Sequence, residues 1–269
     1  MTAARTGPVP VLMYHSVAHS PAKAAFALSV SPDAFADQME LLSELGCTPI
    51  TTAQLAHAWR TAGALPRRPV LITFDDGYEG VHRHALPVLA TYGFVSTLFV
   101  STGWLRGAHD GGGALDTMLD WDQVRALAAA GTEIGGHSHS HQQLDQLGDE
   151  RLWFETLRCR EIIADELGAR PLSFAYPYGY SSRRVRRTVR SAGFAQALAV
   201  GNGLAERRQG PYALERVTVR RGTDLDAFER LVAGGGREIR RAFAADRVLT
   251  KGYAVLRAAR RANRALTGD

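Results

Sequence analysis

The sequence predicts an α/β fold in which parallel strands alternate with crossover helices. Short apolar, β-branched runs alternate with helical patterns along most of the 269 residues. That length suits one large α/β domain of barrel size. Three polar clusters also sit directly after apolar strands, where α/β proteins gather functional groups.

Taken in order, Val9 to Met13 reads as the first strand. Ser31 caps a helix with Pro32 at its first position; Phe35, Met39, Leu42 and Leu45 recur at helical spacing, and Gly46 stops it. Val70 to Phe74 is a buried strand running into Asp75-Asp76-Gly77, with a helix around His82 to Tyr92 behind it. Val95 to Val100 is the next strand, and a glycine-rich loop from Gly103 to about Thr117 is long enough to be a lid or rim. Trp121 to Ala130 is helical, and Thr132 to Ile134 delivers the chain to Gly135-Gly136-His137. A long helix, Glu150 to Leu167, precedes a strand at Leu172 to Ala175 and a helix at Arg183 to Ala192. Phe194 to Val200 and Val217 to Val219 are the last strands, and Asp224 to Val232 the last helix of the body. Gly234-Gly235-Gly236 reads as a linker, dividing a domain at 1–233 from a helical tail at 234–269.

Composition narrows the function classes. Hydrophobic residues at 45% and charged residues at 22% are ordinary for a globular protein. Cys47 and Cys159 lie in no metal-type or disulfide spacing and are expected to be packed thiols. No apolar run has signal-peptide or membrane-span length, so the expected location is cytoplasmic. Neither GxGxxG nor GxxxxGK[ST] occurs, which leaves a nucleotide cofactor without support. Nine Lys/Arg against two acids between Arg237 and Arg264 exceed the whole chain's net charge of +5. The body is therefore near neutral, and no nucleic-acid partner is expected. In the tail, Leu249, Tyr253, Leu256 and Ala259 can share one helical face, with Arg257, Arg260, Arg261 and Arg264 around the rest. Such a helix suits peripheral contact with an anionic membrane, or plain packing on the barrel.

The polar clusters are Asp75-Asp76, His137-Ser138-His139-Ser140-His141 and Tyr176-Pro177-Tyr178-Gly179. His137 and His141 at His-x-x-x-His spacing, joined by one carboxylate, make a His/His/Asp set with positions left open for water. Alone, the histidine run would be a solvated turn. Adjacent carboxylates at a strand end point in different directions, so Asp76 can ligate while Asp75 faces the bound water as base. The competing reading is a plain Asp-Gly turn. His139 suits joint chelation less well.

Thr73-Phe74-Asp75-Asp76-Gly77, His137-Ser138-x-x-His141 and Phe174-Ala175-Tyr176-Pro177-Tyr178-Gly179 resemble, in order and separation, the first three motifs of the NodB-type polysaccharide deacetylases, carbohydrate esterase family 4. Val11-Leu12-Met13-Tyr14-His15-Ser16 further resembles the circularly permuted branch of poly-N-acetylglucosamine deacetylases. The resemblance implies a distorted (β/α)7 barrel that hydrolyses the acetamide of an N-acetylated sugar. It implies a divalent metal, usually zinc, with cobalt, nickel or manganese as alternatives, on Asp76, His137 and His141. It makes Asp75 the general base, His15 the general acid and the Tyr178 backbone N–H an oxyanion donor, with Tyr14, Tyr176 and Pro177 expected to contact substrate. An Arg common in the family is replaced by Ala175, and Arg216 or Arg220 is the candidate to orient the base instead. Ala175 and the missing late motifs motivate one rival reading, an inactive sugar-binding barrel; a second is a deacetylase of a small amide or nucleotide sugar, which would use the same site with a different rim and Gly103–Thr117 loop.

Overall fold

A computed structural model describes residues 7–246 and residue 257 of the chain. Among the described residues there are eight strands: β1 (Val11–Tyr14), β2 (Thr48–Pro49), β3 (Pro69–Asp76), β4 (Thr97–Val100), β5 (Glu133–Gly136), β6 (Ser173–Ala175), β7 (Gln196–Leu198) and β8 (Val217–Thr218). Seven of them lie side by side in the order β7-β6-β5-β4-β3-β1-β8, with β2 added along β3, and every pairing is parallel. The helices are α1 (Pro32–Glu44), α2 (Thr52–Thr61), α3 (Leu86–Thr91), α4 (Trp121–Ala129), α5 (Asp149–Leu167), α6 (Arg183–Ser191), α7 (Leu225–Ala233) and α8 (Gly236–Ala242).

Side-chain alternation along the strands divides the core into two layers. Leu12, Tyr14, Ile72, Phe74, Leu98, Val100 and Ile134 face outward and pack beneath the helices. Val11, Leu71, Phe99, Ala175 and Leu198 face inward and fill the barrel, closed below by Leu55 and Trp59 of α2. The sheet does not close strand to strand. The segment between β7 and β8 fills the gap, Leu214 pairing with Leu198 while Val9 pairs with Ala205. This is the distorted seven-stranded barrel that the motifs imply.

The expected elements occur with shifted ends. Ser31 Oγ accepts from the Ala34 N–H at 3.2 Å and caps α1. The helix expected from His82 begins as a π turn, Val81–Ala85, and becomes α-helical only from Leu86. Helix α2 was not anticipated, although Thr51 and Gln54 form a reciprocal capping box at its start. The three glycines are not a loose linker. Gly234 and Gly235 form the turn between α7 and α8, Gly236 begins α8, and Ile239 of α8 is buried in the outer core. Of the tail residues read as amphipathic, only Arg257 is described, and it is buried where a solvated position was expected; Leu249, Tyr253, Leu256, Ala259, Arg260, Arg261 and Arg264 lie outside the described residues. No helix among the described residues is long and apolar enough to cross a membrane.

Candidate metal centre at the barrel mouth

The C-terminal ends of β3, β5 and β6 open on one mouth. Asp75 and Asp76 end β3, and alternation sends Asp75 into the barrel. Asp76 sits at φ 75° and Gly77 at φ 105°, so the chain turns sharply as it leaves the strand. On β5 a Cβ at Gly135 would stand 2.6 Å from the Phe99 ring and 2.9 Å from the Ser173 carbonyl. Only glycine lets that strand pass, and His137, two residues on, then points into the same space.

The histidine loop is held by its own backbone. His141 N–H donates to Ser138 Oγ at 3.0 Å, and both residues take left-handed conformations, at φ 66° for Ser138 and 55° for His141. Non-glycine residues adopt this region at a cost of about 1–3 kcal/mol each, which persists where the surroundings enforce it. His137 Nδ1 lies 2.8 Å from the Ala175 carbonyl oxygen. A carbonyl only accepts, so the neutral ring carries its proton on Nδ1 and turns the Nε2 lone pair to the mouth. The His141 ring sits between Trp104 and Tyr178, with centroids 4.4 and 4.8 Å away.

Asp76 Oδ1 lies 3.3 Å from His137 Nε2 and 3.2 Å from His141 Nε2. It is buried, yet makes no hydrogen bond. The three ligand atoms fall within 4.8 Å of one another. Neighbouring ligands around a tetrahedral zinc, with bonds of about 2.0–2.1 Å, stand about 3.3 Å apart. An orphaned carboxylate oxygen at that separation from two imidazoles fits a divalent cation. Burial opposes ionisation of Asp76, but the two imidazoles outweigh it and hold the carboxyl well below its ordinary range. Burial likewise disfavours the imidazolium of His137, and Asp75 and Asp76 reverse the balance and raise its pKa.

Asp75 is gripped by Arg216. Nη1 donates to Oδ1 at 2.6 Å and Nη2 to Oδ2 at 2.7 Å, a two-pronged pair with both side chains buried. Burial raises the Asp75 pKa, but the Arg216 guanidinium and then His137 overcome it, so the net shift is downward. Of the two arginines considered, only Arg216 reaches Asp75; Arg220 pairs with Asp246 at 2.7 Å at the surface. His15 follows β1 into the same mouth, with its Nδ1 buried and unpartnered. Burial lowers its pKa against the pull of Asp76 and Asp75.

The three expected substrate contacts, Tyr14, Tyr176 and Pro177, are all buried. Tyr14 precedes His15 and so faces the opposite side of β1, where its hydroxyl donates to Gln38 Oε1 at 2.8 Å. Tyr176 packs edge-on to Phe174 and donates to the Tyr212 carbonyl at 3.1 Å. Neither ring is exposed. Pro177 is buried as well and starts the single turn Pro177–Gly179. Tyr178 is the exposed side chain of this motif, 51% exposed at φ 60°. Gly179 and Tyr180 donate the N–H bonds that close the turn, to the Tyr176 and Pro177 carbonyls at 2.7 and 3.3 Å.

Three residues were missed from sequence. Glu155, on the buried face of α5, receives the His139 N–H at 3.1 Å, the Ser140 N–H at 2.7 Å and the Ser140 hydroxyl at 2.6 Å, clamping the histidine loop from outside. An acid on the inward stripe Leu152, Glu155, Cys159, Ile162 was the available signal. Trp104 brings the glycine-rich loop onto His141. Tyr78 is buried against Asp76; burial first, and that carboxylate second, raise its pKa. His139 turns away, its Nδ1 2.9 Å from Thr102 Oγ1.

Fold and mouth together define a parallel barrel equipped to hold a metal beside a buried carboxylate, the equipment of a metal-assisted hydrolase. The family model for polysaccharide deacetylase matches residues 62–197, half of the chain, and the chain belongs to that family. YxkH of Bacillus subtilis is 27% identical over 220 residues, covering 82% of this chain and 74% of that protein. The poly-beta-1,6-N-acetyl-D-glucosamine N-deacetylase of Escherichia coli K12 is 23% identical over 256 residues, covering 82% of this chain but only 38% of the relative. Among solved structures, the Streptococcus pyogenes deacetylase PplD, in complex with acetate, superposes with a TM-score of 0.75 at 22% identity, covering 84% of this chain and 99% of that one. At that identity the likeness speaks for the fold.

Proposed function

We propose that this enzyme removes the acetyl group from an N-acetylglucosamine-type glycan or glycoconjugate, using a divalent metal held by Asp76, His137 and His141. The observation that carries the reading is the convergence of those three side chains on one point, with the Arg216-bound Asp75 beside them. Zinc is the first choice for an N,N,O donor set with open positions. When bound, such a metal lowers the pKa of water and polarises the acetyl carbonyl.

The chain's own groups do the rest. Asp75, kept ionised by Arg216, takes the proton of the attacking water as its oxygen bonds to the carbonyl carbon. The Tyr178 N–H donates to the carbonyl oxygen as charge builds there. His15 delivers a proton to nitrogen as the C–N bond breaks, leaving the amine and acetate. Burial keeps His15 neutral at rest, so the proton it delivers arrives during turnover. The sugar assignment draws support from the E. coli relative's substrate. An inactive sugar-binding barrel would need neither the three converging ligands nor a second carboxylate held beside them.

The test is acetate release from N-acetylglucosamine oligomers by protein of measured metal content. Chelation should abolish release and zinc restore it, while Asp75→Asn should keep the metal and lose about 10²–10⁴-fold in kcat. A metal-replete wild type that frees no acetate from a panel of acetylated glycans would sink the proposal.

A further inference from the structure

We propose that Arg257, from the C-terminal tail, is a positioning residue of the mouth that ties the loop bearing His141 to the turn bearing Tyr178. Its side chain is buried, only 8% of the residue being exposed. Nε donates to Asp145 Oδ2 at 2.9 Å, and the Arg257 carbonyl accepts from Gln146 Nε2 at 3.4 Å. Both partners belong to the short turn Leu144–Gln146 that follows His141. The central carbon of the same guanidinium lies over the Tyr180 ring, 3.3 Å from its centroid. Tyr180 stacks on Tyr178 at 5.8 Å and 19°, and Tyr178 meets the His141 ring at 4.8 Å.

A guanidinium serves both contacts at once because its edge carries the donors while its plane stacks. Taking the cation out of water also strengthens its attraction to the ring, and here Nη1 is buried with no hydrogen-bond partner among the described residues. The path Arg257, Tyr180, Tyr178, His141 is therefore continuous. Tyr178 and His141 both sit in left-handed conformations, at φ 60° and 55°, that neighbours must enforce. A tail residue more than a hundred positions from the histidine thus completes the enclosure of the site.

The proposal rests on the reading of Tyr178 above only for its kinetic arm. The test compares full-length, zinc-loaded wild type with Arg257→Ala, Arg257→Lys, Tyr180→Leu and the double variant R257A/Y180L. Backbone hydrogen exchange should rise in residues 143–148 and 176–181 of R257A and stay unchanged in α1 and α4. With N-acetylglucosamine oligomers, kcat should fall about tenfold with KM little changed, as expected when a group acting in the transition state is misplaced. Arg257→Lys keeps a charge for Asp145 but no stacking plane, so it should restore protection in 143–148 and not in 176–181. Because the ring transmits the effect to the turn bearing Tyr178, R257A should add nothing on top of Y180L in the exchange of residues 176–181, while it still adds its own effect in 143–148. Wild-type exchange in both segments of R257A, or additive effects on residues 176–181 in the double variant, would overturn the proposal. Should R257A fail to fold, R257K and its double variant with Y180L are read the same way. Exchange is measured without substrate, so loss of the deacetylase reading and loss of this one are told apart.

Discussion

Strand β5 carries a polar residue into the barrel at each end, Glu133 at the base and His137 four positions on at the mouth, and the two clusters they join are built differently. At the base, Glu133 Oε2 accepts from Thr52 Oγ1 and the Ala53 N–H, both at 2.8 Å, and Oε1 accepts from Ser173 Oγ at 2.6 Å. Gln196 donates to Ser173 Oγ and to the Thr52 carbonyl. The carboxylate also faces the N-terminus of α2, where exposed N–H groups favour an anion. Both of its oxygens are engaged. At the mouth, Asp76 Oδ1, His15 Nδ1 and His141 Nδ1 are buried and unbonded. Buried polar atoms left without partners are costly, so the difference teaches which cluster is finished by the fold and which is finished by a ligand.

The largest effect that sharpens this contrast belongs to Arg216→Ala. It would leave the Asp75 carboxylate buried and unpaired, costing about 3–5 kcal/mol of stability in denaturant unfolding. The depressed Asp75 pKa would rise toward and past its ordinary value, moving the acidic limb of the kcat/KM profile to higher pH. Arg216→Lys should recover the charge but not the two-pronged grip. An Arg216→Ala enzyme with wild-type stability and an unmoved profile would mean that the mouth does not depend on this pair. Glu133→Gln is the matched change at the base. Its amide nitrogen can no longer accept, so the hydroxyl or N–H that donates there loses its partner or must turn round, costing about 1–3 kcal/mol of stability. Metal affinity and kcat should not change, and an E133Q protein that loses its metal would break the division between the two ends.

What was legible in sequence follows the same division. The mouth residues follow apolar strands at motif spacing, so Asp75, Asp76, His137 and His141 could be placed together from the chain alone. The fold followed from the strand pattern, although α2 was passed over because its apolar positions, Leu55, Ala58 and Trp59, are few and the strand before it is two residues long. Tyr14 and Tyr176 were misread because a motif does not say which face of its strand is buried. Tyr14 falls on the outer face and His15 on the inner, a one-residue difference set by register. Arg216 was reached as the first of two candidates. Nothing in the spacing separates it from Arg220; the pairing of Met13 with Thr218, which fixes β8 beside β1, does. Glu155 and Arg257 act across long sequence separations on loops whose course no local pattern reveals.

The smallest effect concerns protons at the mouth. In the metal-free protein the flanking carboxylates lift the His137 pKa above its ordinary 6.5. A raised value in the folded state means that the proton stabilises the fold: this contribution is fully present below about 6.5 and is lost as pH rises through the raised value. Metal binding needs the neutral ring, so its sign is opposite. Apparent zinc affinity, measured by competition with a chelator, should therefore fall as pH drops through the neutral range, by about tenfold per pH unit where this one proton is displaced. The metal-free protein should meanwhile gain stability over the part of that range between the raised value and 6.5. Gln196→Ala at the base should leave both trends in place, since none of its partners reaches His137. A zinc affinity that is flat from pH 8 to pH 6 would mean that no proton competes for the Nε2 lone pair, and the two carboxylates would then not be acting on His137 as their positions require.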